Sequence, residues 1–256
     1  WKMINIYIST FGQKVLKQKY ARPIDVGAAL RGDFIYDLKD NCTADNISDL
    51  NMYFGELTGL YWIWKNDTSP SNDVIGFFHY NKGLDIKDSE LTSLNRGVWY
   101  VARKCAITPH PIEKEIVCTR DIIIKKFPQY LDTWDSIYHL DGSSQTCNAA
   151  QMFVTTYGDF REYCEFLFGV LFELRNFIGE GEDSPYYKRY CAFMGERLLT
   201  VYLIANNKTI IEKGKKYQSE FKTICSRLLD LIKYNRDSSI YLFFKKVFGQ
   251  KSSYKK

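Results

Sequence analysis

No window of this 256-residue chain approaches the roughly 18 consecutive apolar residues that a membrane-crossing helix needs. A helical membrane-spanning protein is therefore not expected. The opening "WKMINIYIST" also lacks the basic, apolar and small-residue order of a secretory signal. The seven cysteines (Cys42, Cys105, Cys118, Cys147, Cys164, Cys191, Cys225) are odd in number, scattered and never spaced C-x-x-C. That pattern argues against a disulfide framework or a zinc site and for a reducing compartment. A cytoplasmic location follows as the expectation, and the four N-x-S/T triplets beginning at Asn41, Asn46, Asn66 and Asn207 read as chance.

Other absences narrow the chemistry. The chain has no phosphate-binding G-x-x-x-x-G-K loop, no G-x-G-x-x-G after a strand, no H-E-x-x-H and no G-x-S-x-G. P-loop nucleotide hydrolysis, dinucleotide redox, zinc proteolysis and nucleophile-elbow hydrolysis all lack their signatures. The net charge of +5 comes from 35 basic against 30 acidic residues spread through most of the chain, so a nucleic-acid footprint is missing. No D-x-D element is evident at a strand end, so no metal ligand is assigned and a Mn or Mg cofactor stays open. The acidic runs at Asp88 and Glu90 and at Glu180, Glu182 and Asp183 read as solvated loops.

What is present is apolar and aromatic. Hydrophobic residues make up 45% of the chain, enough for a large core, and 19 Tyr, 17 Phe and 5 Trp suit either core packing or stacking on bases and sugars. "MINIYIST", "DVIGFFHY" (73–80), "ARKCAITP" (102–109) and "AAQMFVTT" (149–156) have strand character. Tyr53, Leu57, Leu60, Tyr61 and Trp64 fall at helical spacing and predict one amphipathic helix over 50–65, capped by Ser48 or Asp49. Further helices are predicted over 157–178 and 190–205. Strands alternating with helices imply an α/β layer fold whose ligands sit at the carboxyl ends of the strands. The tail differs: 221–234 has helical spacing, and within 233–256 the stretch 238–256 joins an apolar run to lysines without an acid. It reads either as a terminal helix with a frayed basic end or as a segment lying on an anionic bilayer.

Two constellations could carry chemistry. His79, Asn81, Lys82 and Asp85 end or follow "DVIGFFHY", where an α/β enzyme presents a ligand site, although a histidine beside aromatics also serves structure. Glu196 and Arg197 open the apolar "GERLLTVYL" stretch, where a carboxylate either complements a helix N-terminus or does acid–base work.

The segments "ADNISDLNMYFGELTGLYWIWKN", "DVIGFFHY", "AAQMFVTTYGDFREYCEFLFGVLFEL" and "RYCAFMGERLLTVYL", in this order over residues 4–205, resemble a bacterial capsular and exopolysaccharide biosynthesis family. That family, long described as a domain of unknown function, is associated with glycosyltransferases of GT-A type, galactofuranosyltransferases among them. The resemblance implies a GT-A-like (Rossmann-like) mixed sheet flanked by helices over 1–210, with an amphipathic basic helical appendage over 211–256. It implies transfer of a hexose, galactofuranose or galactose, from a UDP-sugar to a growing polysaccharide or lipid-linked acceptor at the inner face of the cell membrane. On this resemblance Asp45, Asn46, Ser48, Asn51, His79, Tyr80, Lys82 and Arg197 are assigned to the donor, and Asn148 and Gln151 to the acceptor. Glu196 is the expected general base, with Asp85 in reserve. In the family the H-Y pair is typically followed by two arginines; here Asn81, Lys82 and Gly83 follow, which motivates the alternative of a non-catalytic glycan-binding or assembly subunit. A soluble enzyme of nucleotide metabolism is a third reading, disfavoured by the missing phosphate loops.

Overall fold

The strand β1 (Ile4–Thr10) alternates, sending Ile6 and Ile8 to one face of a sheet and Tyr7 to the other. It is the first element of a computed structural model that describes residues 2–106, 113–138, 146–148, 150–181, 186–219 and 223–224. There follow β2 (Ala21–Asp25), α1 (Asn51–Phe54), α2 (Leu57–Asn66), β3 (Val74–His79), β4 (Lys82–Leu84), α3 (Asp88–Ser93), β5 (Val98–Ala102) and β6 (Cys105–Ala106). The second half holds α4 (Glu113–Lys126), α5 (Leu131–Ile137), β7 (Thr146–Cys147), β8 (Phe153–Thr156), α6 (Tyr157–Ile178), α7 (Tyr190–Ala205), β9 (Thr209–Lys213) and β10 (Lys215–Tyr217).

The main sheet is mixed. β2, β1 and β3 run parallel, β8 is antiparallel to both β3 and β5, and β9 runs parallel to β5. β1 occupies one edge of β3 through His79, whereas β8 leaves the other edge at Phe77, so β4 takes that vacated edge at His79 and pairs onward with β10. The sheet's central strands are buried on both faces, which is why "VIGFFH" reads as an almost unbroken apolar run. Tyr7, Phe77, Trp99 and Phe153 pack under α2, α6 and α7, while Ile8, Phe78, Tyr100 and Val154 pack with Leu91 and Leu94 on the opposite face.

The helix α6 follows from its pattern. Thr156 caps it by accepting from the Asp159 amide, Phe160, Tyr163, Leu167, Leu171 and Leu174 line one buried face, and Gly179 at φ 70° ends it. Each of those side chains contributes about 1.5–3 kcal/mol of burial. The predicted bounds of α6 and α7 match the structure.

Elsewhere the structure corrects the reading. The single helix over 50–65 is two, broken at Gly55, whose φ of 54° and ψ of −133° only glycine adopts readily. Of the strand expected over 102–109, Ala102 closes the earlier and longer β5, carried by "VWYVA", Cys105–Ala106 form the short β6, and residues 107–109 lie outside the described residues. The strand expected from 149 starts at Phe153, since Ala150 and Gln151 hold φ of 79° and 45°. Residues 211–217 belong to the sheet and not to a helical appendage: β9 and β10 are its edge strands, polar and half-exposed as edges tend to be. Of the rest of the expected tail, only residues 218, 219, 223 and 224 fall among the described residues, the last two helical. Among the described residues no helix is long and apolar enough to cross a membrane.

Candidate active site

The carboxyl ends of the parallel strands β1, β2 and β3 open into a cavity of about 730 Å³, the size and place at which an α/β sheet takes a ligand. Ser9, Thr10 and Phe11 reach it from β1, His79 to Lys82 from the β3–β4 turn, Gly55 and Glu56 from the break between α1 and α2, and Arg189, Phe193 and Glu196 from the start of α7. Helices and strands far apart in sequence therefore converge on one concave surface.

Of the residues singled out from the sequence, Asn51, His79, Tyr80, Lys82 and Glu196 line this cavity. Asn51 donates to the Gly55 carbonyl at 2.7 Å and to the Thr58 hydroxyl at 3.0 Å, so it also holds the α1–α2 break in shape. The other residues are engaged elsewhere. Asp45 accepts from the Tyr61 hydroxyl at 2.9 Å, and Asn46 donates to the Thr43 carbonyl at 2.6 Å and accepts from the Ser48 amide. The fully buried Ser48 donates to the Asp40 carboxylate and accepts from the Ala29 amide at 2.9 Å. The three residues fix a loop and do not line the cavity.

The Asp85 amide donates to Gly214 in the strand pairing. Arg197, 2% exposed, turns its guanidinium to the Phe193 carbonyl at 2.9 Å and leaves its Nε without a partner. Asn148 is buried and donates to the Ala102 carbonyl and to Glu212, and Gln151 exchanges hydrogen bonds with the Tyr163 hydroxyl at 3.0 and 3.1 Å. None of these four lines the cavity; each serves the packing around it. Glu196 is in the second turn of α7, too far from its first residues for the helix dipole to be its main influence.

The electrostatics of the lining are uneven. Burial first, and then the nearby Lys82, push the His79 pKa down to about 4, so its ring is neutral near pH 7. The ring nitrogen Nε2 donates to the Ala150 carbonyl, which leaves Nδ1 as the acceptor. Burial and the neighbouring Glu56 raise the pKa of Glu196, opposed by Lys82, Arg197 and a hydrogen bond from the Ala150 backbone. Burial would also raise Glu56, but His79 and Arg189 outweigh it and hold that carboxyl below its ordinary value. Lys82 is lowered by burial and by Lys215. The backbone of Ala150 thus meets His79 through its carbonyl and Glu196 through its N–H, while Ala150 and Gln151 hold left-handed backbone, a conformation that non-glycine residues adopt only where their surroundings enforce it.

Glu56 and Arg189 stand out only in three dimensions; the sequence hint was Gly55 inside an otherwise helical pattern. Among the described residues no three of His, Cys, Asp and Glu come together as a metal-holding group. In the cavity Glu56 is paired with Arg189, and His79 with Ala150 through Nε2. The lining's positive charges are Lys82, Lys188 and Arg189.

A mixed sheet flanked by helices, with its cavity at the carboxyl ends of β1 to β3, defines an α/β protein of GT-A-like architecture. The chain belongs to the family described as Domain of unknown function (DUF4422), which matches residues 5–108 and 102–208. Its fold is similar to that of the apo structure of the bifunctional glycosyltransferase WbbM, with a TM-score of 0.71 at 21% identity over 84% of this chain and 45% of that one. The chain therefore spans less than half of that protein's length. No curated protein matches it.

Proposed function

We propose that this chain is a glycosyltransferase that moves a hexose, galactofuranose or galactose, from a UDP-sugar to a growing surface polysaccharide or lipid-linked acceptor. The observation that carries the reading is the pairing, in one cavity at the strand ends, of a carboxylate with raised proton affinity, Glu196, and the cation Lys82. The fold shared with a bifunctional glycosyltransferase supports it.

In this reading the acceptor hydroxyl attacks the anomeric carbon as Glu196 takes its proton. The bond from that carbon to the diphosphate oxygen breaks, and its electron pair stays on the phosphate. Lys82 opposes the charge developing there, and neutral His79 accepts a hydrogen bond from the sugar through Nδ1. A base whose pKa lies above that of an ordinary carboxylate suits proton abstraction near neutral pH. Contact of residues 233–256 with the cytoplasmic face of an anionic bilayer belongs to the same proposal, as the means of reaching a lipid-linked acceptor.

The test is a thermal-shift screen of the chain against UDP, UDP-galactose, UDP-galactofuranose, GDP- and dTDP-sugars, followed by a transfer assay with the donor that binds. A donor at 100 times its Kd adds about 2.7 kcal/mol of stability. Stabilisation by a UDP-sugar together with transfer that Glu196→Gln abolishes is the expected result. Binding without transfer, in the presence of acceptor glycans, would instead favour a glycan-assembly subunit.

A further inference from the structure

Arg189 precedes α7 and reaches back across the cavity to Glu56, which its Nη2 meets at 3.0 Å. The contact depends on the residue before Glu56. A Cβ built on Gly55 would lie 2.8 Å from Arg189 Nη2 and 3.3 Å from its Nε, and Gly55 is also in the glycine-type backbone that separates α1 from α2. A side chain at 55 would therefore displace the guanidinium and strain the chain at once. The helix is interrupted where the guanidinium enters.

We propose that Arg189 binds the diphosphate of the donor, with Glu56 as the residue that positions its guanidinium and Gly55 as the space that admits it. This rests on the transferase reading above and names the group that would hold the leaving diphosphate. Three observations carry it. Arg189 lines the same cavity as Lys82 and Glu196, so a ligand reaching one reaches the others. Glu56 is mostly covered and Arg189 one-third exposed, so the carboxylate anchors the pair from within while the guanidinium faces the opening. The β3–β4 turn brings only one cation, Lys82, a point charge; a planar guanidinium offers a fork of donors that fits phosphate oxygens two at a time.

A guanidinium has donors enough for a carboxylate and a phosphate together, so Glu56 need not release Arg189 when the ligand arrives. A diphosphate seated between Lys82 and Arg189 would meet positive charge from two sides, one from the sheet and one from α7. The nucleoside would then extend past Arg189 and the sugar toward Glu196.

The experiment is calorimetric titration of the full chain and of Arg189→Met, Arg189→Lys and Gly55→Ala with UDP, uridine and inorganic pyrophosphate, each variant first checked for a cooperative melt. Arg189→Met is expected to weaken UDP and pyrophosphate by about tenfold or more while uridine binds as before, since one charged, bidentate contact is lost and the base contacts are not. Arg189→Lys should keep the charge and recover part of the affinity. Gly55→Ala should reproduce the loss with Arg189 itself intact. Arg189→Met and Arg189→Lys both binding UDP as tightly as the unaltered chain would overturn the inference and leave the transferase reading standing. So would an equal loss of UDP and uridine. An unaltered chain that binds no nucleotide, with GDP and dTDP tried as well, would overturn the transferase reading and the inference with it.

Discussion

The Nε2–H of His79 donates to the carbonyl of Ala150, and the amide of that same residue serves Glu196. The backbone of this one residue therefore fixes the tautomer of the imidazole through its carbonyl and meets the carboxylate through its N–H. Because burial, and after it Lys82, hold His79 down at about 4 against an ordinary 6.5, the unfolded chain binds more protons between those values. Its contribution is fully present above about 6.5 and is lost as pH falls toward 4. The full shift corresponds to roughly 3 kcal/mol, less once solvent screening of a half-buried ring is allowed for. Urea melts at pH 7 and pH 4.5 should show this loss, and His79→Gln, which keeps a donor for Ala150 but does not titrate, should remove most of it. An unchanged difference between the two pH values in the variant would rule the histidine out as its source.

Glu196 and Glu56 share the cavity, and their proton affinities are driven apart: burial and Glu56 raise the first, whereas His79 and Arg189 bring the second down against its own burial. Such a split is how one site obtains both a carboxylate of raised proton affinity and a carboxylate that stays charged. If Glu196 is the base, transfer appears as pH rises through its raised pKa. Glu56→Gln removes a negative neighbour, so the acid limb of kcat/KM should move to lower pH even as its height falls. Glu196→Gln should cost on the order of 10²–10⁴ in kcat. A limb that stays in place in Glu56→Gln would mean that another group sets it.

How much of this was legible beforehand depended on where the apolar pattern was strong. α6 and α7 could be bounded from spacing alone, because their buried faces are long and regular. β2 was missed: "ARPID" is short and carries Pro23, tolerated because this strand lies at a sheet edge. β9 and β10 were missed because edge strands keep polar, half-exposed residues, which in "TIIEKGKKY" resemble a tail. In the site, His79, Lys82 and Glu196 could be named since each follows an apolar run or opens one. Arg189 and Glu56 could not be paired, because 133 residues separate them and only the fold brings them together. Asp45, Asn46 and Ser48 looked like ligand groups at a helix start; in the fold they lie outside the cavity lining and hydrogen-bond to Tyr61, Thr43 and Asp40.

That last point can be tested at Asp40, which no sequence pattern marked. Its fully buried carboxylate accepts from the amides of Gly27 and Ala28 at 2.8 and 3.0 Å and from the hydroxyls of Ser48 and Thr58. Two loops and the first turn of α2 are thereby tied to one side chain. Asp40→Ala would strand these donors in the interior and should cost roughly 4 kcal/mol or more. Ser48→Ala removes one donor to Asp40 and one acceptor for the Ala29 amide. It should cost about 1–2 kcal/mol, a fall of several degrees in Tm for a chain of this size. Because Ser48 faces Asp40 and not the cavity, the same variant should bind UDP as the unaltered chain does. Measured side by side, a loss of UDP affinity at unchanged Tm would return Ser48 to the donor site, whereas a lower Tm at unchanged affinity makes its loop a support for the cavity wall.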